Sequence, residues 1–231
     1  LYGKLNRSMR SKLKGWRFEV PDLIEGFQVR DTILFVEKAE GTTFHKLSAR
    51  DQSEAGPLIT DSSLTLLFRK GWFDADRHAG NQLIDADRKV IHPLDFGQAT
   101  DFSVALPWKS DERYELAQFL RALASGDADA VIKHGRVMAG NAKPSVPEAL
   151  KAEILKVLSG GAGLADKVIA LATAFAEQGV RLDGKFTFGA FKGLMTLYGE
   201  GYVPEDGFRD LLAREIGRLL KKKLPLTLMG R

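Results

Sequence analysis

Three oxygen-bearing side chains stand at intervals that could do chemistry: Asp76, Asn81 and Asp95. They lie in Gly71-Trp-Phe-Asp-Ala-Asp-Arg-His-Ala-Gly-Asn81 and, a short stretch later, in Leu94-Asp-Phe-Gly97. Transfer of a phosphoryl group from ATP needs one carboxylate beside the acceptor hydroxyl. It also needs a carboxylate and a carboxamide that hold Mg²⁺ against the phosphates, because magnesium takes hard oxygen ligands. An Asp-x-x-x-x-Asn spacing followed by Asp-Phe-Gly supplies these groups in that order. Asp76 is then the candidate at the acceptor side, Asn81 and Asp95 are the candidate metal ligands, and ATP and Mg²⁺ are the implied cofactors.

The flanking elements must hold these groups together. Gln82-Leu-Ile84 and Val90-Ile-His92 bracket Asp85-Ala-Asp-Arg88, the pattern of a β-hairpin, which returns the chain so that Asn81 and Asp95 come side by side. Before the loop, Leu64, Leu67 and Phe68 share one helical face, with Asp61 as the expected N-cap and Gly71 as the stop. Residues 72–81 read as a loop. Further upstream, residues 1–20 read as one basic amphipathic helix ended by Val20-Pro21. Gly26–Arg30 and Thr32–Val36, short and rich in β-branched and aromatic residues, read as a second hairpin. After Ser110 the punctuation is helical: 111–125, 127–138, 147–158, 164–178, 188–198 and 206–224. Gly160-Gly-Ala-Gly163 is a connector between two of these helices, since no strand precedes it and no Lys-Ser or Lys-Thr follows. Two strand pairs followed by a helical bulk predict an α+β fold, mainly α.

Composition sets the outer bounds. The chain has 231 residues, 44% hydrophobic and 28% charged, which excludes a disordered, collagen-like or coiled-coil chain. It has no cysteine, so disulfides, thiolate metal sites and a cysteine nucleophile are excluded, in keeping with a reducing, cytoplasmic compartment. Val168–Ala176, the longest apolar run, is far short of a membrane span, and no signal peptide is visible. The start at Leu1 rather than Met leaves room for residues upstream. The net charge of +4 hides an asymmetry: residues 1–20 and 207–231 carry +5 each, and the middle carries −6. Solvated helix faces usually account for such ends. The sharper reading is peripheral contact with an anionic membrane surface, with Arg214, Arg218, Lys221 and Lys222 on a common face. Nucleic acid is not an expected partner, for lack of aromatic interleaving and zinc-finger spacing.

The ordered set of helix, loop, hairpin and triplet resembles the UbiB/AarF (ADCK-type) atypical protein kinase-like family. Its catalytic loop reads roughly Gly-Phe-Phe-His-Ala-Asp-Pro-His-Pro-Gly-Asn, matched by residues 71–81, and its Ile-Asp-Phe-Gly is matched by Leu94–Gly97. Its strand before the hinge looks like Leu34-Phe-Val-Glu37-Lys-Ala-Glu-Gly41, and its helical remainder like the stretch ending at Gly201-Tyr-Val-Pro204. The resemblance implies a protein kinase-like large lobe (C-lobe) with remnant small-lobe strands. It implies Asp76 as the catalytic-loop aspartate, Asn81 and Asp95 as metal ligands, and Glu37, Lys38, Ala39 and Glu40 as the hinge that meets adenine. It also implies a role in isoprenoid-quinone or other lipid metabolism. The expected organisation is a basic N-terminal segment and remnant hairpin over 1–36, the large lobe over 37–205, and a basic C-terminal helix over 206–231.

The departures carry expectations of their own. The family's first loop histidine is Asp74, and its two prolines are Arg77 and Ala79. Asp74 adds a carboxylate near Asp76 that Arg77 could neutralise, and a loop without prolines is less rigid. His78 is expected to order the loop as a hydrogen-bond donor. His45, His92 and His134 are expected to be structural, and Trp72-Phe73 to pack the loop onto the core. No strand lysine in a Val-Ala-x-Lys context, no partner glutamate and no Lys-x-Gly-Gln segment are identifiable before the hairpin. The alternatives to an ATP- and Mg²⁺-dependent phosphotransferase or ATPase are therefore a pseudokinase-like nucleotide-binding or regulatory module, and a small-molecule phosphotransferase of the aminoglycoside or choline kinase kind.

Overall fold

Helix α1, Tyr2–Leu13, buries Tyr2, Leu5, Met9 and Leu13 along one stripe and leaves Lys4, Arg7 and Arg10 exposed. Lys14 and Gly15 take left-handed conformations, φ 46° and 89°, and end the helix there. The single helix expected over 1–20 is thus α1 followed by a short strand, β1, Arg17–Phe18. Asn6 fixes that turn: its Nδ2 donates to the Phe18 carbonyl at 2.8 Å, and its Oδ1 accepts from the Phe18 N–H at 3.0 Å. The computed structural model describes residues 1–24, 35–101, 112–138, 148–179 and 185–223. The hairpin expected over Gly26–Val36 lies outside these except for Phe35 and Val36. Around it, Leu23 pairs antiparallel with Val36, and the Glu37 N–H donates to the Asp22 carbonyl at 2.8 Å.

Helix α2 runs Ala49–Thr65 and continues as one π-helical turn, Leu66–Lys70, to Gly71 at φ 69°. It begins twelve residues before the expected start at Asp61, with Ser48 as its cap: Ser48 Oγ accepts from the Asp51 N–H at 3.2 Å. Gly56-Pro57 hid this from sequence reasoning, since a proline inside a helix removes a ladder hydrogen bond. The glycine is there for space. A Cβ at Gly56 would lie 1.9 Å from the Tyr202 carbonyl oxygen. Asp61 is accordingly no cap but a buried helix-interior carboxylate that pairs with Lys12, at 3.0 Å, and with Arg214.

The strands form two small sheets. In the first, β3 (Gln82–Asp85) and β4 (Val90–Pro93) make the expected antiparallel hairpin, and β1 adds parallel to β4, giving the order β1-β4-β3. In the second, β2 (Trp72–Asp74) pairs antiparallel with β5 (Ala99–Asp101), so the first residues of the expected loop are a strand. The rest is helical: α3 Glu112–Ser125, α4 Ala128–Met138, α5 Glu148–Ser159, α6 Leu164–Glu177, α7 Lys185–Gly199 and α8 Glu205–Lys223. This is the α+β, mainly α, kinase-like fold that the sequence predicts.

One hydrophobic core runs through the elements, with Phe68, Phe119, Phe175 and Phe208 among its fully buried side chains. α8 packs on α2, on the π-helical turn and on α3. Glu215 of α8, fully buried, takes Arg69 at 2.6 and 3.0 Å and Arg218 at 2.6 Å. Buried charge demands such pairing. Arg214 and Arg218 are therefore committed to carboxylates of the fold rather than forming a free basic face with Lys221. Among the described residues no helix is long and apolar enough to cross a membrane.

Candidate active site

Strand β2 delivers the chain into the loop that carries Asp76. Phe73 is buried, and Trp72 stacks near Tyr2 and Phe96 at ring-centroid distances of 6.1 and 5.8 Å, so this pair packs the loop onto the core as expected. Asp76 is partly exposed. Its backbone carbonyl accepts from Asn81 Nδ2 at 3.0 Å, which ties the two ends of the loop together. That bond uses the amide nitrogen of Asn81 and leaves its Oδ1 without a hydrogen bond among the described residues.

The hairpin then brings the chain back. The Leu94 N–H donates to the Asn81 carbonyl at 2.9 Å, one rung beyond the pairing of Gln82 with Pro93. Neighbouring strands lie about 4.8 Å apart, so this rung sets Asn81 opposite Leu94, the residue before Asp95. Asp95 is exposed and holds a left-handed backbone, φ 46°, which a residue with a Cβ adopts at a cost. Its Oδ1 accepts from the Gly97 N–H at 3.0 Å, and Oδ2 has no hydrogen-bond partner among the described residues. The free Asn81 Oδ1 and Asp95 Oδ2 are hard oxygens suited to Mg²⁺, which takes one or two protein ligands and completes its shell with water and phosphate. No larger cluster of acidic and histidine side chains that could hold a metal exists among the described residues.

The loop is held from beneath by an ion pair. Asp74 and Arg77 are both buried and paired, and the Asp74 Oδ1 accepts from the Asp76 N–H at 3.0 Å. Arg77 also donates to the carbonyls of Asn81 at 3.4 Å and Leu94 at 3.3 Å, and lies 5.2 Å above the Phe96 ring. It does neutralise Asp74, and it restores by hydrogen bonding the rigidity that the missing prolines would give. Burial pushes the Asp74 carboxyl above its ordinary value, and the Arg77 guanidinium and the Asp76 N–H oppose that shift. Burial likewise pushes the Tyr2 phenol beneath the loop up to about 12. His78 orders the loop, but as an acceptor: its Nδ1 accepts from the Gly80 N–H at 3.1 Å.

The candidate hinge lies along the same hairpin. Gly41 (φ 123°) brings the backbone against Ile84, and Thr42 exchanges two hydrogen bonds with Ile84 at 3.0 and 2.8 Å. A cavity of about 200 Å³ opens there, lined by Glu19, Val20, Pro21, Asp22, Glu37, Lys38, Ala39 and His92. Glu40 is not among its lining residues, and pairs with Lys38 at 2.9 Å on the exposed side. His92 Nδ1 donates to the Glu19 carbonyl at 3.0 Å, and its buried Nε2 has no partner among the described residues. His45 and His134 each meet one carboxylate, Glu200 and Glu115. The structure thus gathers Asp76, Asn81 and Asp95 at one end of the hairpin and sets residues 37–39 by the cavity further along it.

The family model of the ABC1 atypical kinase-like domain matches residues 3–135, more than half of the chain. The chain belongs to this family. No curated protein matches the chain. The matched range of the ABC1 domain takes in α1, β1, the loop, the hairpin and Asp95, and ends within α4. One side chain that meets Asp76 escaped sequence reasoning. Lys192, on α7 and outside the matched range, donates to Asp76 Oδ1 at 3.0 Å and to Gln98 Oε1 at 2.6 Å. Nothing in the spacing could have announced it, because 116 residues separate it from Asp76.

Proposed function

We propose that this ABC1-family chain is the ATP- and Mg²⁺-dependent phosphotransferase or ATPase domain of a UbiB-like kinase. The observation that supports the reading is the Leu94–Asn81 rung, which brings the segment of Asp95 back against the loop that carries Asp76 and Asn81. Asn81 and Asp95 would hold Mg²⁺, which supplies charge neutralisation on the nucleotide phosphates. Asp76 would orient the acceptor hydroxyl or water, and residues 37–40 would meet adenine. A role in isoprenoid-quinone or other lipid metabolism follows from the resemblance, with the exposed cations of α1 facing an anionic lipid surface.

A second reading, nucleotide binding without turnover, has one observation in its favour. α1 carries no glutamate, and its Lys12 is committed to Asp61, so the described residues before the hinge hold no lysine–glutamate pair for the phosphates. Calorimetry with MgATP, beside an ATP-turnover assay on the full-length protein, separates the readings. Binding with turnover that Asp95→Asn abolishes is the expected result. Binding that depends on Asp95 but yields no turnover selects the binding module. A small-molecule phosphotransferase would show turnover stimulated by an aminoglycoside or choline. Near-normal turnover in Asp95→Asn overturns the metal assignment.

A further inference from the structure

Phosphoryl transfer concentrates negative charge on the terminal phosphate, and a preorganised cation beside it is a large source of catalysis. The loop of this chain cannot supply that cation. Arg77 is buried, and its guanidinium is spent on Asp74, on the Asn81 and Leu94 carbonyls and on the Phe96 ring. His78 accepts a hydrogen bond at Nδ1, the arrangement of a neutral imidazole, and its Nε2 stands 3.8 Å from Asp76.

The cation comes from α7 instead. A Cβ at Gly193 would lie 2.0 Å from the Phe73 ring, and one at Gly189 would lie 3.9 Å from the Ala75 Cβ. Gly193 lets α7 sit directly against β2, while Gly189 leaves only an ordinary contact with the start of the loop. Lys192 stands beside Gly193 on this helix, and its ammonium bridges Asp76 Oδ1 and Gln98 Oε1. Asp76 marks the acceptor side, and Gln98 follows the Leu94–Gly97 segment that carries Asp95, so the ammonium ties the loop to the end of that segment. An ammonium has three N–H donors, and one remains unused among the described residues. The side chain is 35% exposed, which leaves it open to a ligand.

We infer that Lys192 is the phosphate-binding cation of this site, contacting the terminal phosphoryl oxygens of a bound nucleoside triphosphate. The inference rests on the phosphotransfer reading above and adds the group that discriminates triphosphate from diphosphate. It predicts a γ-phosphate-specific loss. In full-length protein Lys192→Met should weaken MgATP binding about 10- to 100-fold, the worth of one charge-assisted hydrogen bond, and change MgADP binding less than about twofold. Lys192→Arg should restore most of the discrimination. A purely structural lysine would weaken both nucleotides together, and that outcome, or no change in either, overturns the assignment. If Lys192 served only to hold Asp76, Lys192→Met would have no effect in an Asp76→Ala background; a persisting loss of MgATP affinity there supports direct contact. Should Lys192→Met fail to fold, Lys192→Gln carries the same comparison. Wild-type protein that binds neither MgATP nor MgADP removes the nucleotide reading itself, a result distinct from loss of discrimination alone.

Discussion

Arg77 lies three residues beyond Asp74 and pairs with it inside the fold, both side chains almost wholly shielded from water. The same guanidinium reaches the carbonyls of Asn81 and Leu94, which belong to the two candidate metal-ligand segments. One buried ion pair therefore holds the catalytic loop and the Asp-Phe-Gly segment in register. Removing the cation alone strands a buried carboxylate. Arg77→Met should destabilise the protein by about 3–5 kcal/mol, and adding Asp74→Asn should recover part of that loss. Burial raises the folded-state Asp74 value above its ordinary 3.8, so the contribution of this group is fullest below that pH and declines as pH rises through the raised value. Without Arg77 to oppose the shift the decline is larger, and chemical denaturation should show the gap between wild type and Arg77→Met widening from pH 4 to 8. A constant gap would mean that Arg77 does not set the titration of Asp74.

On the phosphotransfer reading, Asp76 serves the acceptor side rather than the metal. Asp76→Asn should lower turnover by roughly 10²–10⁴-fold, the range of a positioned base. Nucleotide affinity should stay close to wild type, as for an interaction made only in the transition state. Steady-state kinetics beside calorimetry measures both, and an equal fall in MgATP affinity would move Asp76 into the metal site.

The ion cluster under α8 gives a pH signature. Burial on its own raises the Glu215 carboxyl, but Arg69 and Arg218 together overcome it and hold the carboxyl below its ordinary 4.5. A depressed acid contributes stability above that pH and loses it as pH falls toward the folded-state value. Thermal melts should show wild type losing stability below about pH 4.5. Glu215→Gln should be less stable at pH 7 and should lack that part of the acid decline. Parallel curves for the two proteins would show that Glu215 does not titrate in this window.

Lipid contact made through free cations would draw on α1 beside Lys221 of α8. Arg214 and Arg218 are held by Asp61 and Glu215, whereas Lys4, Arg7 and Arg10 are exposed and carry no ion pair among the described residues. Each basic residue near an anionic surface adds about 1 kcal/mol, lost as salt screens it. Co-sedimentation with anionic vesicles at low salt should fall on Arg7→Glu with Arg10→Glu, without change in melting temperature. Equal binding to anionic and neutral vesicles, or binding to neither, would leave α1 a solvated face.

The candidate site is legible in one dimension because it depends on local spacing. Asp76 to Asn81 is a single loop, and a hairpin of fixed period must return Asp95 to it, so residue types and turn signals suffice. The helices after residue 111 were readable for the same reason: their apolar stripes and glycine stops are local. What depends on distant partners was not. The N-terminal half of α2 was hidden because Gly56-Pro57 reads as a break, and only the Tyr202 carbonyl packed against Gly56 explains it. Strand β2 read as loop because its ladder partner, β5, lies beyond the hairpin. Arg214 and Arg218 read as surface charge because the carboxylates that claim them lie on α2 or are buried within α8. Lys192 meets Asp76 because Gly193 lets α7 close onto β2. Local spacing names the candidate groups, whereas the charge around them is assembled by packing between elements far apart in the chain.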